Sequence, residues 1–72
     1  MSKDVHVVPS GGGWVVEIDG EAASHRYPSR RQAAQVGQRL ARANRSEFVL
    51  HGPDGCVRQR DSFRRDPVAA DH

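Results

Sequence analysis

The sequence predicts an α+β domain in which one helix packs on one face of a small antiparallel sheet of about four strands. Two observations predict this fold. Short β-branched runs flank a single segment with helical periodicity, and Gly-, Pro- and Asp-containing turns separate the runs. The expected order is β-β-(β)-α-β-β within one domain that spans residues 1–63. Residues 64–72 lose the apolar pattern, so we expect a disordered tail there.

A hairpin opens the predicted sheet. Its strands cover residues 5–8 and 14–18, and residues 9–13 between them have the Pro, Ser and Gly composition of a turn. Asp19-Gly20 is a typical tight-turn pair. After it, residues 22–27 supply the optional third strand.

Ser29 is the predicted start of the helix. Ser29 and Gln32 fit the capping box, in which each side chain bonds the backbone amide of the other residue. We expect the helix to cover residues 29–44 and Asn44 to end it in a left-handed conformation. Helical periodicity places mostly small side chains on its inner face, and small side chains let a helix lie close to a sheet. The predicted inner face consists of Ala33, Val36, Gly37, Leu40, Ala41 and Asn44.

A second hairpin follows the helix, with strands over residues 47–51 and 56–60 and a turn over residues 52–55. Strand alternation assigns the side chains of the sheet to two faces. The face expected under the helix contains Trp14, Val16, Ile18, Phe48, Leu50 and Val57. The open face is expected to contain His6, Val8, Val15, Glu17, Val49, His51, Arg58 and Arg60. A face that mixes Val with His and Arg is typical of an interface, and so small a core favours partner contacts. We therefore expect a homodimer.

The charge of the chain is unevenly distributed. The net charge is +2, but residues 26–45 contain six arginines and no acid. A high-GC genome would explain the use of Arg over Lys, but it would not explain the missing acids. Because guanidinium groups match phosphate geometry, this segment favours nucleic-acid binding.

The candidate nucleic-acid contacts lie in two places. The outer helix face contains Arg and Gln only and consists of Arg31, Gln35, Gln38, Arg39, Arg42 and Arg45. The strand after the second turn adds Arg58 and Arg60, which also fit an edge strand protected by charge. We expect Arg31, Arg39, Arg42, Arg45, Arg58 and Arg60 to contact DNA or RNA phosphates. The alternative function is a protein-interaction or homodimerisation module with a regulatory role.

Other classes of function have little support in the sequence. The aspartates sit beside Gly, Ser or Pro, as turn aspartates do, so we expect no enzyme, no cofactor and no small-molecule substrate. His6, His51 and Cys56 share the open face but lack paired metal-ligand spacing. We therefore expect surface histidines, a half-buried thiol and no metal. With neither a bilayer-spanning apolar run nor a secretory signal, the expected location is the cytoplasm, away from membranes.

The ordered series of short motifs resembles a bacterial protein family, domain of unknown function 2188. The resemblance covers roughly residues 5–67 and lies in His6-Val7-Val8-Pro9, Gly13-Trp14-Val15-Val16, the Ala-rich helix, Val49-Leu50-His51-Gly52, Asp54-Gly55, Arg58-Gln59-Arg60-Asp61-Ser62-Phe63 and Asp66-Pro67. Phe63 stands where the family usually has Tyr, which removes a hydroxyl group. The resemblance supports the fold and implies no activity.

Overall fold

The computed structural model describes residues 3–21 and 24–63 of the chain, so the predicted tail over residues 64–72 lies outside the described residues. The order of elements agrees with the prediction and includes the optional third strand. Within the described residues, no helix is long and apolar enough to cross a membrane. The elements are β1 Val5–Ser10, β2 Gly13–Ile18, β3 Ser24–Tyr27, α1 Arg30–Asn44, β4 Glu47–His51 and β5 Val57–Ser62.

The sheet has five strands in the order β3-β2-β1-β4-β5 and is mixed. β1 pairs with β4 in parallel, and the other three pairings are antiparallel. The α+β class is therefore confirmed. The predicted sheet of about four strands, with an optional further strand, is close to the five observed. Its expected all-antiparallel pairing is wrong, because β1 and β4 are parallel. The physical reason is the helical connection, which carries the chain back across the sheet so that β4 runs in the direction of β3 and β1.

The loop between β1 and β2 is shorter than predicted. Pro9 pairs with Trp14 and Ser10 pairs with Gly13, so only Gly11 and Gly12 form the loop. Their φ angles are +49° and +83°. A two-residue type I′ hairpin loop requires positive φ at both positions, which glycine adopts without steric cost.

The core lies between α1 and one face of the sheet. The helix contributes Ala33, Gly37 and Ala41, all buried and each one turn apart, so the small inner face is confirmed. Three of its predicted members are not buried, because Val36 and Leu40 are half-buried and Asn44 is exposed. The sheet supplies the larger core side chains, which are Val5, Val7, Val16, Phe48 and Leu50.

Gly37 is the point of closest approach between helix and sheet. A Cβ atom at this position would lie 2.8 Å from Cε1 of Phe48 and 3.0 Å from Cγ2 of Val7. Both neighbours are fully buried and have little room to move. The separation of helix and sheet is therefore set by the absence of a side chain at residue 37.

The turn between β4 and β5 forms as predicted. The Gly55 amide donates to the Gly52 carbonyl at 2.9 Å, and Gly55 has a φ of +86°. The Cys56 amide donates to Oδ1 of Asp54 at 3.2 Å. That bond stabilises the carboxylate and lowers the pKa of Asp54. The Cys56 thiol is exposed, so the expectation of a half-buried thiol is wrong.

We expect Gly37→Ala to lower the free energy of unfolding by about 1–2 kcal/mol. Replacing glycine by alanine in a helix gains about 1 kcal/mol of helix propensity. Overpacking a rigid core costs about 1–3 kcal/mol. Because Phe48 and Val7 are both buried, the overpacking cost at this site should lie near the upper end of that range. Urea denaturation would measure the change.

Ala43→Gly at an exposed helix position is the control for Gly37→Ala. It should cost about 1 kcal/mol through propensity alone. If Gly37→Ala instead stabilised the protein by about that amount, the helix would lie farther from the sheet than the structure places it.

Candidate nucleic-acid interface

Ser29 caps the start of α1, but only the Ser29 half of the predicted capping box forms within the described residues. The Gln32 amide donates to the Ser29 hydroxyl at 3.2 Å, and the two side chains lie 3.5 Å apart. With Ala33 turned into the core, Arg31 and Arg39 point away from the sheet and are exposed. The predicted start of the helix and its predicted outer arginines are therefore where the sequence placed them.

The helix ends at Asn44, as expected, but the residue that takes the left-handed conformation is the next one. Arg45, and not Asn44, adopts the left-handed conformation, with φ 54° and ψ 50°. The Arg45 amide donates to the Arg42 carbonyl at 3.2 Å, and the Ser46 amide donates to Ala41 at 2.9 Å. These bonds satisfy carbonyls that a helix end would otherwise leave unpaired, and they leave the Arg45 side chain exposed.

Arg42 combines exposure with a specific contact. Its guanidinium carbon lies 5.3 Å from the centroid of the Phe63 ring, within the range of a cation–π interaction. Phe63 also packs against the core, and its amide donates to the Ser46 carbonyl at 2.9 Å. The guanidinium of Arg42 is therefore held next to Phe63, the residue that follows β5. Its N–H groups remain available to solvent or a ligand.

A shallow depression lies on the outer helix face. It is lined by the side chains of Gln35, Gln38, Arg39 and Arg42. The lining contains only hydrogen-bond donors and amide oxygens, with no carboxylate. Such a surface can accept an anionic group but has no group suited to general base catalysis.

No acidic side chain of the described residues pairs with Arg31, Arg39 or Arg45. The first turn of α1 contains Arg30 and Arg31 and no acid. Cations in this position are unfavourable, because the helix macrodipole is positive at its N-terminus. The outer helix face is thus a cationic surface without internal compensation among the described residues.

The two strand arginines lie elsewhere. Arg60 is opposite Val49 on the open face, where its Nη1 lies 3.5 Å from Oε1 of Glu47. Arg58 is the extra residue of a bulge near Leu50 and packs over the Gly52 backbone. The six predicted arginines therefore form two separate groups, and one flat surface cannot contact both.

The same bulge corrects the predicted position of Val57. Val57 lies opposite His51 on the open face and is 48% exposed, not under the helix. Because Gln59 lies opposite Leu50, residues 57 and 59 are on different faces although they are two positions apart. Simple alternation fails at such a bulge.

Arg26 has a structural role that sequence reasoning missed. Its Nη2 donates to the Ser10 carbonyl at 2.5 Å and to the Gly11 carbonyl at 2.7 Å. The arginine therefore closes the glycine loop instead of adding to the free charge. Gly13 allows this approach, since a Cβ there would lie 3.0 Å from the Tyr27 carbonyl and 3.3 Å from Nε of Arg26.

Two of the three possible metal ligands on the open face lie together. Nε2 of His51 and Nδ1 of His6 are 3.5 Å apart. Within residues 3–21 and 24–63, no group of three His, Cys, Asp or Glu side chains is arranged to hold a metal ion, so Cys56 does not join them. The histidine pair is the one element of that set with a defined geometry.

Comparison with known proteins identifies a family and no individual relative. A family model described as an uncharacterized protein conserved in bacteria, DUF2188, matches residues 5–63. No curated protein and no solved structure matches the chain. The matched region includes every helix and strand described above.

We expect Arg42→Ala to lower the free energy of unfolding by about 0.5–1 kcal/mol, which is typical of an exposed cation–π pair. Arg39→Ala, which removes an equal charge one turn away from the ring, should change stability by less than about 0.5 kcal/mol. Urea denaturation of both variants, repeated in a Phe63→Leu background, would isolate the pair. An undiminished effect of Arg42→Ala in that background would show that the ring is not its partner.

Proposed function

The chain belongs to DUF2188, a bacterial family of uncharacterized proteins, and from that premise we propose that it binds nucleic acid through the outer helix face. The observation that carries the proposal is a helix whose exposed side presents arginine and glutamine with no carboxylate. A helix surface that serves solubility alone normally mixes both signs of charge. A cationic helix surface without acidic side chains suits the binding of a polyanion.

The spacing of the arginines suits an extended phosphate backbone. Arg31 and Arg39 are two turns apart, which separates their Cα atoms by roughly 12 Å along the helix axis. Arg42 adds a third cation on the same side, next to the depression lined by Gln35 and Gln38. Several phosphates of one strand can therefore be contacted at once, with the glutamines donating additional hydrogen bonds.

The open face supports this role less well. Arg60 is already paired with Glu47, and Glu17 and Asp19 add negative charge on or beside that face. Arg58 is packed on Gly52. The helix arginines are therefore the principal contacts of the proposal, and the strand arginines are secondary. Phosphate contacts position a protein without reading base sequence, so binding should be insensitive to sequence and sensitive to salt.

We expect Arg31→Gln combined with Arg39→Gln to weaken binding to mixed-sequence DNA and RNA about equally for all sequences. Each lost phosphate contact should also reduce the slope of log K against log salt by roughly one unit. Fluorescence anisotropy with duplex DNA, single-stranded DNA and RNA at two salt concentrations would measure both effects. Stability should change little, because neither side chain has an ionic partner among the described residues.

The charge-matched control for the helix variant is Arg58→Gln with Arg60→Gln, which removes two cations from the opposite side of the molecule. It should weaken binding less than the helix variant does. An equal or larger effect of the strand pair would place the contact on the open face. Failure of the unaltered protein to bind any of the three polymers at low salt would overturn the proposal.

A second candidate function is self-association through the open face. Val57 is 48% exposed, and Val8 and Val15 are half-buried on a face that no helix covers among the described elements. A second copy that brings the same face would cover these valines. This would make the protein an interaction module, with or without nucleic acid.

We expect sedimentation at micromolar concentration to give twice the 7.9 kDa chain mass. Val57→Glu should shift the protein to the monomer, because it would bury a carboxylate against apolar side chains. Ala43→Glu, which adds the same charge at an exposed helix position away from the open face, is the control. A monomer in the unaltered protein would contradict self-association and leave the nucleic-acid proposal untouched.

A further inference from the structure

The outer helix face is the most prominent surface on its side of the molecule. Among the described elements, α1 alone covers that side of the sheet, and the five strands form the layer behind it. The helix has 15 residues, so it is roughly 22 Å long, and with its side chains it is about 10–12 Å wide. The major groove of B-form DNA is about 12 Å wide and admits one α-helix.

The exposed side chains of α1 form a crest and a charged flank. Gln35 and Arg39 are exposed and lie at the crest, because each is about 160° around the helix axis from the buried Gly37. Arg31 and Arg42 lie together on one side of the crest and form the flank. When such a helix enters a groove, the flank faces the phosphates of one strand and the crest faces the base edges. Arg39 is long enough to reach a phosphate at the rim, whereas the shorter, uncharged Gln35 suits the floor of the groove.

Gln35 carries an amide that the protein itself does not use. No hydrogen bond within the described residues engages its side chain, whereas Gln32 lies beside the Ser29 cap and Gln59 donates to Asp61. An amide N–H can donate to N7 of either purine in the major groove. A contact of this kind requires an open major groove but distinguishes little between base sequences.

Single strands and RNA duplexes match this surface less well. Single-stranded nucleic acids are held largely by bases that stack on aromatic side chains. All four aromatic residues of the chain pack in or against the core, and none belongs to α1. In an A-form RNA duplex the major groove is too narrow for side chains to read. The groove of B-form DNA is therefore the best match for an exposed helix without aromatic side chains.

We infer that the polymer bound by this protein is double-stranded DNA, with α1 in the major groove. The flank of Arg31 and Arg42 lies along the phosphates of one strand, and the Gln35 amide contacts the base edges. No carboxylate of α1 opposes the phosphates, since the helix contains no acid. The inference rests on the proposed nucleic-acid binding and narrows it to one polymer and one groove.

The first test compares three polymers by fluorescence anisotropy with the full chain. These are a mixed-sequence DNA duplex, the RNA duplex of the same sequence and one of the DNA strands, all at the same low salt concentration. The DNA duplex should bind at least about fivefold more tightly than either of the others, the gain from one additional hydrogen bond. Equally tight binding of RNA or of the single strand would overturn the inference and leave the proposed function standing. Absence of binding to all three would overturn both.

The second test removes the groove contact from the protein side. Gln35→Ala should weaken binding to the DNA duplex about fivefold, and it should leave the helix intact because alanine is a good helix former. Gln59→Ala is the matched control, since it removes an exposed glutamine from β5, which α1 does not contact. It should leave the affinity unchanged. Equal affinities of the two variants would overturn the inference.

The third test removes the same contact from the DNA side. A duplex in which 7-deazapurines replace the purines lacks the N7 acceptors but keeps every phosphate. The unaltered protein should bind it about fivefold more weakly than ordinary DNA, and the Gln35→Ala variant should lose nothing further. The inference is overturned if the unaltered protein binds both duplexes equally, or if Gln35→Ala weakens binding to both by the same factor.

Discussion

The close approach of α1 to the sheet at Gly37 determines how the rest of the molecule is arranged. With no side chain at residue 37, Phe48 and Val7 fill the space directly beneath the helix backbone. The small neighbours Ala33 and Ala41 extend this contact by one turn in each direction. Because the helix supplies almost no bulk, the sheet must supply the large core side chains. The buried part of each central strand is therefore apolar on one face, and its polar side chains are confined to the other.

That arrangement divides the polar chemistry of the protein between two surfaces. The helix presents its arginines outward with little ionic compensation, whereas the open face of the sheet combines valines, histidines and paired charges. The two surfaces lie on opposite sides of a molecule that consists of one helix layer and one sheet layer. A polyanion on the first surface and a second copy on the second would not compete for the same residues. Nucleic-acid binding and self-association can consequently be tested separately.

The sequence predicted well what local rules control. The Ser29 cap, the small inner face of the helix and the two turns depend on residues close in the chain, and all are present. The reciprocal bond from the Gln32 side chain is missing from the predicted capping box. The parallel direction of β4 relative to β1 was missed, because it depends on where the helix returns the chain to the sheet. The helical connection between β3 and β4 was nevertheless a usable signal, since parallel strands need such a crossover. The bulge at Arg58 and the exposure of Val57 carry no composition signal, and alternation placed Val57 on the wrong face.

The candidate site was predictable to a similar degree. Exposure of Arg31 and Arg39 followed from helical periodicity, but the contact of Arg42 with Phe63 and the use of Arg26 as a clamp require the three-dimensional fold. The sequence likewise showed His6 and His51 only as two residues expected on the open face, and not as a contact.

The parallel pairing of β1 with β4, which brings these histidines together, also has a kinetic consequence. Val5 and Phe48 are 43 residues apart, whereas both hairpins and the helix close over short distances. Bringing these two residues together costs more chain entropy than any other strand pairing of the sheet. The pairing of β1 with β4 should therefore form late and limit the rate of folding.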